Sequence, residues 1–363
     1  MKSVFRGLSA GLALAVAAGI GPGAPVAAAG QPSIIWLDSH GSLSDGGAAH
    51  GVVPHGYSAS RLSPGIPEAQ ATGLVLIDTT IDFGDGGVAA GTGMVIRREG
   101  IVLTNHHVVA GSTKISVTIA TTGRAFDADV LGYDTQNDVA VLRLPGAGNL
   151  ATVTTDTQPV VPGVSITSVG NARGGGRLVA ATGQVTATGV SIQVSDQDGS
   201  NQATLDNLIK VNAKLVPGDS GGAMFSGANA VIGMNVAGSS DPAARQGYAL
   251  PITTVLSSAR AILAGQASAT ITIGRPGALG IVATATPGGV QVVSVVKGQG
   301  AERAGITVGS TITSIGGTAV TSIAQLTTAL SAYKAGDQVI VAWTDPTGQA
   351  RSATITLGPA PLP

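Results

Sequence analysis

Gly93-Met94-Val95-Ile96 and Ile101-Val102-Leu103-Thr104 are two short apolar runs parted by a polar turn that ends in glycine. Runs of four or five β-prone residues are too short for helices and suit strands. The same grammar extends in both directions. Upstream stands Gly73-Leu74-Val75-Leu76-Ile77; downstream come Lys114-Ile115-Ser116-Val117-Thr118-Ile119, Asp129-Val130-Leu131-Gly132 and Val139-Ala140-Val141-Leu142-Arg143-Leu144. Short strands with turn signals at this spacing predict an all-β sandwich or barrel. After a soft boundary near 146–149 the pattern resumes. Val164–Val169, Gln184–Thr188 and Val190–Val194 alternate with period two, and Ala230–Val236 reads as a buried strand. Residues 252–263 read as a helix that closes this region, and 323–333 as the one clear helix of a further unit of strands.

Composition narrows the chemistry. Among 363 residues, 44% are hydrophobic and 11% charged, with 54 glycines and no cysteine. Disulfides, thiolate metal sites and a cysteine nucleophile are therefore excluded, and the fold must rest on burial alone. The first 29 residues run from Lys2 and Arg6 through an apolar stretch to Ala27-Ala28-Ala29, the order of a secretory signal peptide cut before Gly30. Its loss removes two positive charges and moves the formal net charge from -1 to -3, which argues against a nucleic-acid partner. Residues 30–69, rich in Gly, Ser, Pro and His, read as a low-complexity linker; His40, His50 and His55 have no compact ligand spacing, so no metal site is expected.

Chemistry concentrates in three stretches. Pro217-Gly218-Asp219-Ser220-Gly221-Gly222 sets one hydroxyl between glycines, which let a backbone turn sharply and approach a carbonyl. Such a serine needs a base and bare N–H groups aimed at the developing oxyanion; Gly218 and Ser220 are the candidate donors. By itself the hexapeptide equally describes a surface turn. Its partners are at hand in Leu103-Thr104-Asn105-His106-His107-Val108-Val109 and in Asn137-Asp138-Val139-Ala140-Val141-Leu142. An imidazole, titrating near ~6.5 when unperturbed, takes the hydroxyl proton at neutral pH while an acid orients it. Either histidine qualifies, and a strand continuing through both would point them to opposite faces.

These three motifs, in this order, resemble the chymotrypsin-like proteases of the HtrA (DegP-like) branch, closest to secreted actinobacterial, mycobacterial-type members. The likeness covers roughly residues 71–358. It implies two antiparallel six-stranded β-barrels followed by an α+β PDZ domain, with His107 as general base, Asp138 as orienting acid and Ser220 as nucleophile. It implies no cofactor. It further implies that Asn235, Val236 and Ala237 lie along the substrate backbone and that Lys214, six before the serine, lines the primary pocket. There Lys214 either meets an acidic residue or turns to solvent. Asp219, with no zymogen step, is expected to find a local donor.

Ala301-Glu302-Arg303-Ala304-Gly305 and Ile315-Gly316-Gly317 resemble bacterial PDZ domains. Ala278-Leu279-Gly280-Ile281 then resembles the loop that takes a peptide carboxylate, with Leu279, Gly280 and Ile281 as binding residues and Arg275 either assisting the carboxylate or exposed to solvent. Leu326, Leu330 and Tyr333 fall on one helix face, to line the groove or pack beneath it. The resulting domain plan is 70–148 for the first barrel, 149–265 for the second with its helix, 266–358 for the PDZ unit and 359–363 for a loose tail. The reading is a secreted endopeptidase acting on unfolded or extended proteins, with peptide C-termini as PDZ partners and, by family likeness, a homotrimer. The rival is a latent protease that serves as a PDZ peptide-binding chaperone.

Overall fold

The computed structural model describes residues 34–36, 61–81, 87–195, 202–239, 241 and 243–362. The signal-peptide reading and the three histidines between 40 and 55 lie outside them.

In the first barrel, strands β2 (Leu74–Ile81), β3 (Gly87–Arg97), β4 (Ile101–Thr104), β5 (Lys114–Ile119), β7 (Asp129–Asp134) and β8 (Val139–Arg143) surround one core, with β6 (Ala125–Asp127) flanking β5. Ala128 N–H donates to Ile115 O at 3.0 Å, which returns the start of β7 to β5. Period two explains why these strands read as unbroken apolar runs. Val75, Ile77, Val102, Ala140 and Leu142 face the barrel interior. Their neighbours Leu74, Leu76, Leu103, Val139 and Val141 face a second core shared with the other barrel. A strand buried on both faces has no polar side to show. Each fully buried Leu or Ile contributes roughly 1.5–3 kcal/mol.

The second barrel comprises β9 (Ser165–Gly170), β10 (Val179–Val194), β11 (Ala203–Val211), β12 (Ala223–Ser226), β13 (Val231–Ser239) and β14 (Gly247–Pro251). Their order is β13-β12-β9-β10-β11-β14, and pairing of β14 with β13 closes a six-stranded ring. Two strands expected at 184–188 and 190–194 are one strand. Register shifts on either side of Gly189, which sits at φ +69°, bend it without ending it. Helix α3 (Ile252–Leu263) matches its expected bounds and drives Val255, Ala259 and Ile262 into the core between the barrels.

Residues read as linker contribute to this body. Arg61 N–H bonds Ala120 O at 2.8 Å, Leu62 bridges Leu178, and Leu62 and Ile66 pack on the shared core. Farther upstream, β1 (Ile34–Trp36) pairs with β13.

The C-terminal unit has its own core of Val290, Val292, Ile312, Val341, Trp343 and Ile355. Five strands, β17 (Ile281–Thr286), β18 (Gly289–Val295), β19 (Thr311–Ile315), β21 (Gln338–Thr344) and β22 (Ala350–Thr356), carry it. Helix α5 (Ile323–Leu330) is capped by Ser322, whose Oγ accepts Gln325 N–H at 3.3 Å, and stops three residues before expectation. Ser331 Oγ turns back to Thr328 O and Tyr333 N–H to Leu330 O, a tighter turn that ends the helical ladder.

The tail is not loose. Gly358–Pro359 pair with Gly277–Ala278, and Leu362, 2% exposed, enters the core of the first barrel. On the entry side Ile271–Ile273 (β15) adds to the edge of β7, inside the sheet of the first barrel. Both ends of the PDZ unit are thereby fastened to the same barrel.

Candidate active site at the barrel junction

The first barrel supplies an imidazole and a carboxylate from adjacent strand ends. Strand β4 stops at Thr104, Asn105 holds an extended cap, and His106–Val109 form one helical turn, α2. The two histidines diverge because the chain turns into a helix, not because a strand alternates. His107, 8% exposed, turns inward: its Nδ1 lies 2.7 Å from Asp138 Oδ2, and its backbone N–H donates to Asp138 Oδ1 at 2.9 Å. His106 instead stacks on Tyr133, with centroids 4.7 Å apart and planes at 17°. Asp138 sits at φ +49°, a strained setting for a non-glycine residue. Its carbonyl accepts from Asn105 Nδ2 at 3.0 Å and His106 N–H at 3.2 Å, which hold it there. With a proton on Nδ1 facing Asp138, Nε2 is left to accept from Ser220 Oγ, 2.8 Å away.

The second barrel supplies Ser220 from the loop that feeds β12. Gly218 adopts φ +92°, and a Cβ there would collide with the Asn171 carbonyl. The Pro217 carbonyl accepts Arg173 N–H at 2.5 Å. Because the peptide is trans, that bond turns Gly218 N–H to the opposite side. Among the described residues, neither Gly218 N–H nor Ser220 N–H donates to a protein acceptor.

Thr92 clamps the loop. Its Oγ1 donates to Gly218 O at 2.7 Å and accepts Asn171 N–H at 2.8 Å, while its own N–H donates to Ser220 O at 2.8 Å. Thr104 Oγ1 donates to Thr92 O at 2.7 Å, tying the clamp to the strand that delivers His107. Thr92, Asn171 and Arg173 escaped the sequence reading. The runs Gly91-Thr92-Gly93 and Gly174-Gly175-Gly176 were the signals of close backbone approach that marked them.

Asp219 points away from the reacting groups and accepts Val216 N–H at 2.9 Å, the local donor expected of it. Burial pushes its carboxyl up to about 7, against the opposing pull of that hydrogen bond. Asp134, four residues before Asp138, is buried elsewhere. It accepts from Ser258 Oγ at 2.6 Å and Asn137 Nδ2 at 2.8 Å, pinning its turn to α3. Asp129 pairs with Arg143 at the surface at 2.7 Å.

Beside the serine, Val236 O lies 3.4 Å from Ser220 Oγ. Asn235 and Ala237 are fully buried, and among the described residues neither side-chain polar atom of Asn235 has a hydrogen-bond partner. Lys214 is exposed on the approach to the serine loop. Among the described residues no cluster of three or more His, Cys, Asp or Glu side chains comes together to hold a metal.

In the C-terminal unit, Leu279 is buried in the core, Gly280 takes φ +80°, and Ile281 is half-buried at the start of β17. The Leu279 carbonyl is tied back to Ala301 N–H at 2.9 Å. Strand β17 is the sheet's outer strand, and α5 packs beside it. Of the three groove-helix candidates, Leu326 is core, and Leu330 and Tyr333 pack partly buried against it. Arg275 is neither solvent-exposed nor at this loop. Its Nε donates to Ala360 O at 2.9 Å and another guanidinium nitrogen to Ser112 O, and burial lowers it to about 10.

Comparison with known proteins agrees with this geometry. Residues 91–234 match the trypsin-like peptidase domain model and 277–344 the PDZ domain model. The serine protease Do-like HtrA of Lactococcus lactis is 30% identical over 282 residues, covering 70% of this chain and 67% of that protein. The periplasmic pH-dependent serine endoprotease DegQ of Escherichia coli is 32% identical over 69% of this chain and 55% of its own length. Serine protease PepD of Mycobacterium tuberculosis is 27% identical over 95% of this chain and 76% of its own. Among solved structures, the HtrA-type protease AlgW with a decapeptide superposes with a TM-score of 0.47 at 22% identity, covering 82% of this chain and all of that one.

Proposed function

The chain belongs to the HtrA family of trypsin-like serine proteases, and on that footing we propose that Ser220 is its nucleophile, His107 its general base and Asp138 the acid that orients the ring. The observation that carries this is the continuous relay Asp138–His107–Ser220, at 2.7 and 2.8 Å, beside two unengaged N–H groups. Ser220 Oγ attacks the scissile carbonyl as its proton passes to His107 Nε2. The oxyanion that forms is held by Gly218 and Ser220 N–H. The protonated ring then gives its proton to the leaving amine, and water activated by the same nitrogen releases the acyl group.

The bond from Arg173 to the Pro217 carbonyl supports a hole that stands ready before substrate arrives, which disfavours the latent reading. Labelling with a fluorophosphonate tests the assignment. Wild type should label stoichiometrically and Ser220→Ala not at all; absence of labelling in the wild type would overturn it.

Substrates are extended or unfolded chains that add as a strand beside Val236 and Ala237, since a folded domain has no free edge to offer there. Lys214 is proposed to stay in solvent and leave the primary pocket small and neutral. Peptide C-termini bind the PDZ unit at Leu279, Gly280 and Ile281, pairing with β17. The protein works outside the cytoplasm after loss of residues 1–29, a reading supported by the periplasmic location in the names of DegQ and DegP. No helix among the described residues is long and apolar enough to cross a membrane. Assembly as a homotrimer is proposed on family likeness, and the molar mass in solution tests it.

A further inference from the structure

Strand β13 changes company midway. At Gly233 and Met234 it is paired on both sides, with β12 and β14. At Asn235 strand β12 gives way to the serine loop, whose Gly221 N–H donates to Asn235 O and whose Gly222 O accepts Asn235 N–H. Beyond that point β14 still covers one edge, with Ala237 opposite Tyr248 and Gly238 opposite Gly247. The other edge is vacated by β12 and begins at the carbonyl 3.4 Å from Ser220 Oγ. An extended substrate needs this edge. It is also the edge that β1 takes: Trp36 lies opposite Ala237, Ile35 opposite Gly238 and Ile34 opposite Ser239, antiparallel. The segment therefore runs toward the serine, in the direction a bound peptide would follow.

Two strands cannot share one edge, because each backbone N–H and C=O there bonds one partner. We propose that Ile34–Trp36 is an intramolecular occupant of the substrate strand's place, so that the enzyme restrains itself and substrates must displace its own chain. The inference rests on the peptidase reading above. Three paired residues form a weak ladder, but the tether makes it effective. Residues 37–60 separate β1 from Arg61, which is already packed against Ala120. A tether of this length sets a local concentration on the order of millimolar. A weakly held segment at that concentration competes measurably with a substrate in the micromolar range, raising KM while leaving kcat alone.

The test uses the full mature chain with Ile35→Pro, which removes a ladder N–H and fixes φ, and, separately, with Ile34, Ile35 and Trp36 all changed to Gly. A fluorogenic hexapeptide amide long enough to cover the edge reports KM and kcat; a small fluorophosphonate, which reaches Ser220 without the edge, reports the intact site. Both variants should lower the hexapeptide KM by roughly two- to tenfold, with kcat and the labelling rate unchanged. A synthetic peptide of residues 31–40 should inhibit them competitively. An unchanged KM in the triple variant, with normal labelling, overturns the inference while leaving the peptidase reading intact. A wild-type KM that rises with enzyme concentration also overturns it, since the occupant would then come from a second copy. No labelling in any variant that folds would instead sink the peptidase reading.

Discussion

The two barrels contribute to the junction in different currencies. The first gives side chains, His107 and Asp138, from strand ends whose flanking residues are buried in two cores. The second gives backbone, the N–H groups of Gly218 and Ser220, from a loop that exists only because glycine fits where a Cβ would strike Asn171. Proton transfer tolerates no substitute for the side chain. Anion stabilisation depends on how a peptide plane is held, and that holding is delegated to neighbours. Ser220 alone belongs to both accounts.

The comparison is broken most severely on the side-chain half. His107→Ala and Ser220→Ala should each reduce kcat by more than about four orders of magnitude. His106→Ala should keep activity within about tenfold and show its effect as a lower Tm, since the lost stack with Tyr133 is worth about 1 kcal/mol. Full activity in His107→Ala with loss in His106→Ala would reverse the assignment.

Next come the backbone holders. Gly218→Ala should lower kcat by about a hundredfold or more with little change in KM, because the displaced N–H serves the transition state alone. Thr92→Val, which removes the bond to Gly218 O and the acceptor of Asn171 N–H, should be milder, roughly tenfold, and equally confined to kcat. A Thr92 variant that changed KM and not kcat would show that the clamp positions substrate instead.

A third and smaller effect is read in pH. Burial raises the folded carboxyl of Asp219 to about 7, above its ordinary 3.8, so the folded state holds this proton more tightly than the unfolded chain. Stability on its account is greatest below the unfolded value and declines as pH climbs from about 4 to about 7, after which the penalty of the buried charge is complete. Asp219→Asn should flatten that decline in a series of chemical denaturations; an unaltered slope would refute it. The smallest expectation concerns Lys214→Ala. With the side chain in solvent, kcat/KM for peptides with a small aliphatic residue before the cut should shift by no more than about twofold, and a library should show no Asp or Glu enrichment there.

How much of this was legible beforehand follows the same division. Strands and the closing helix announce themselves by residue type and period, and the three side chains proposed as catalytic by motifs that resemble a known family's. The clamp does not: Thr92 is an ordinary β residue until its partners 79 and 126 positions away are known. Arg275 was misread because its role depends on Ser112 and Ala360, which no local pattern connects to it. The tail misled for the opposite reason. Its prolines signal irregular backbone, and irregular backbone can still be anchored when one leucine finds a core.

That anchorage has a mechanical meaning. A module hung from one end swings like a pendant, but this one is hemmed in at its start by β15 and at its finish by Leu362, both on the barrel that bears His107. A third hold, the Arg275–Ser112 contact, sits three residues past the end of the histidine's own helical turn, so the module is braced against the element that carries the base proposed for Ser220.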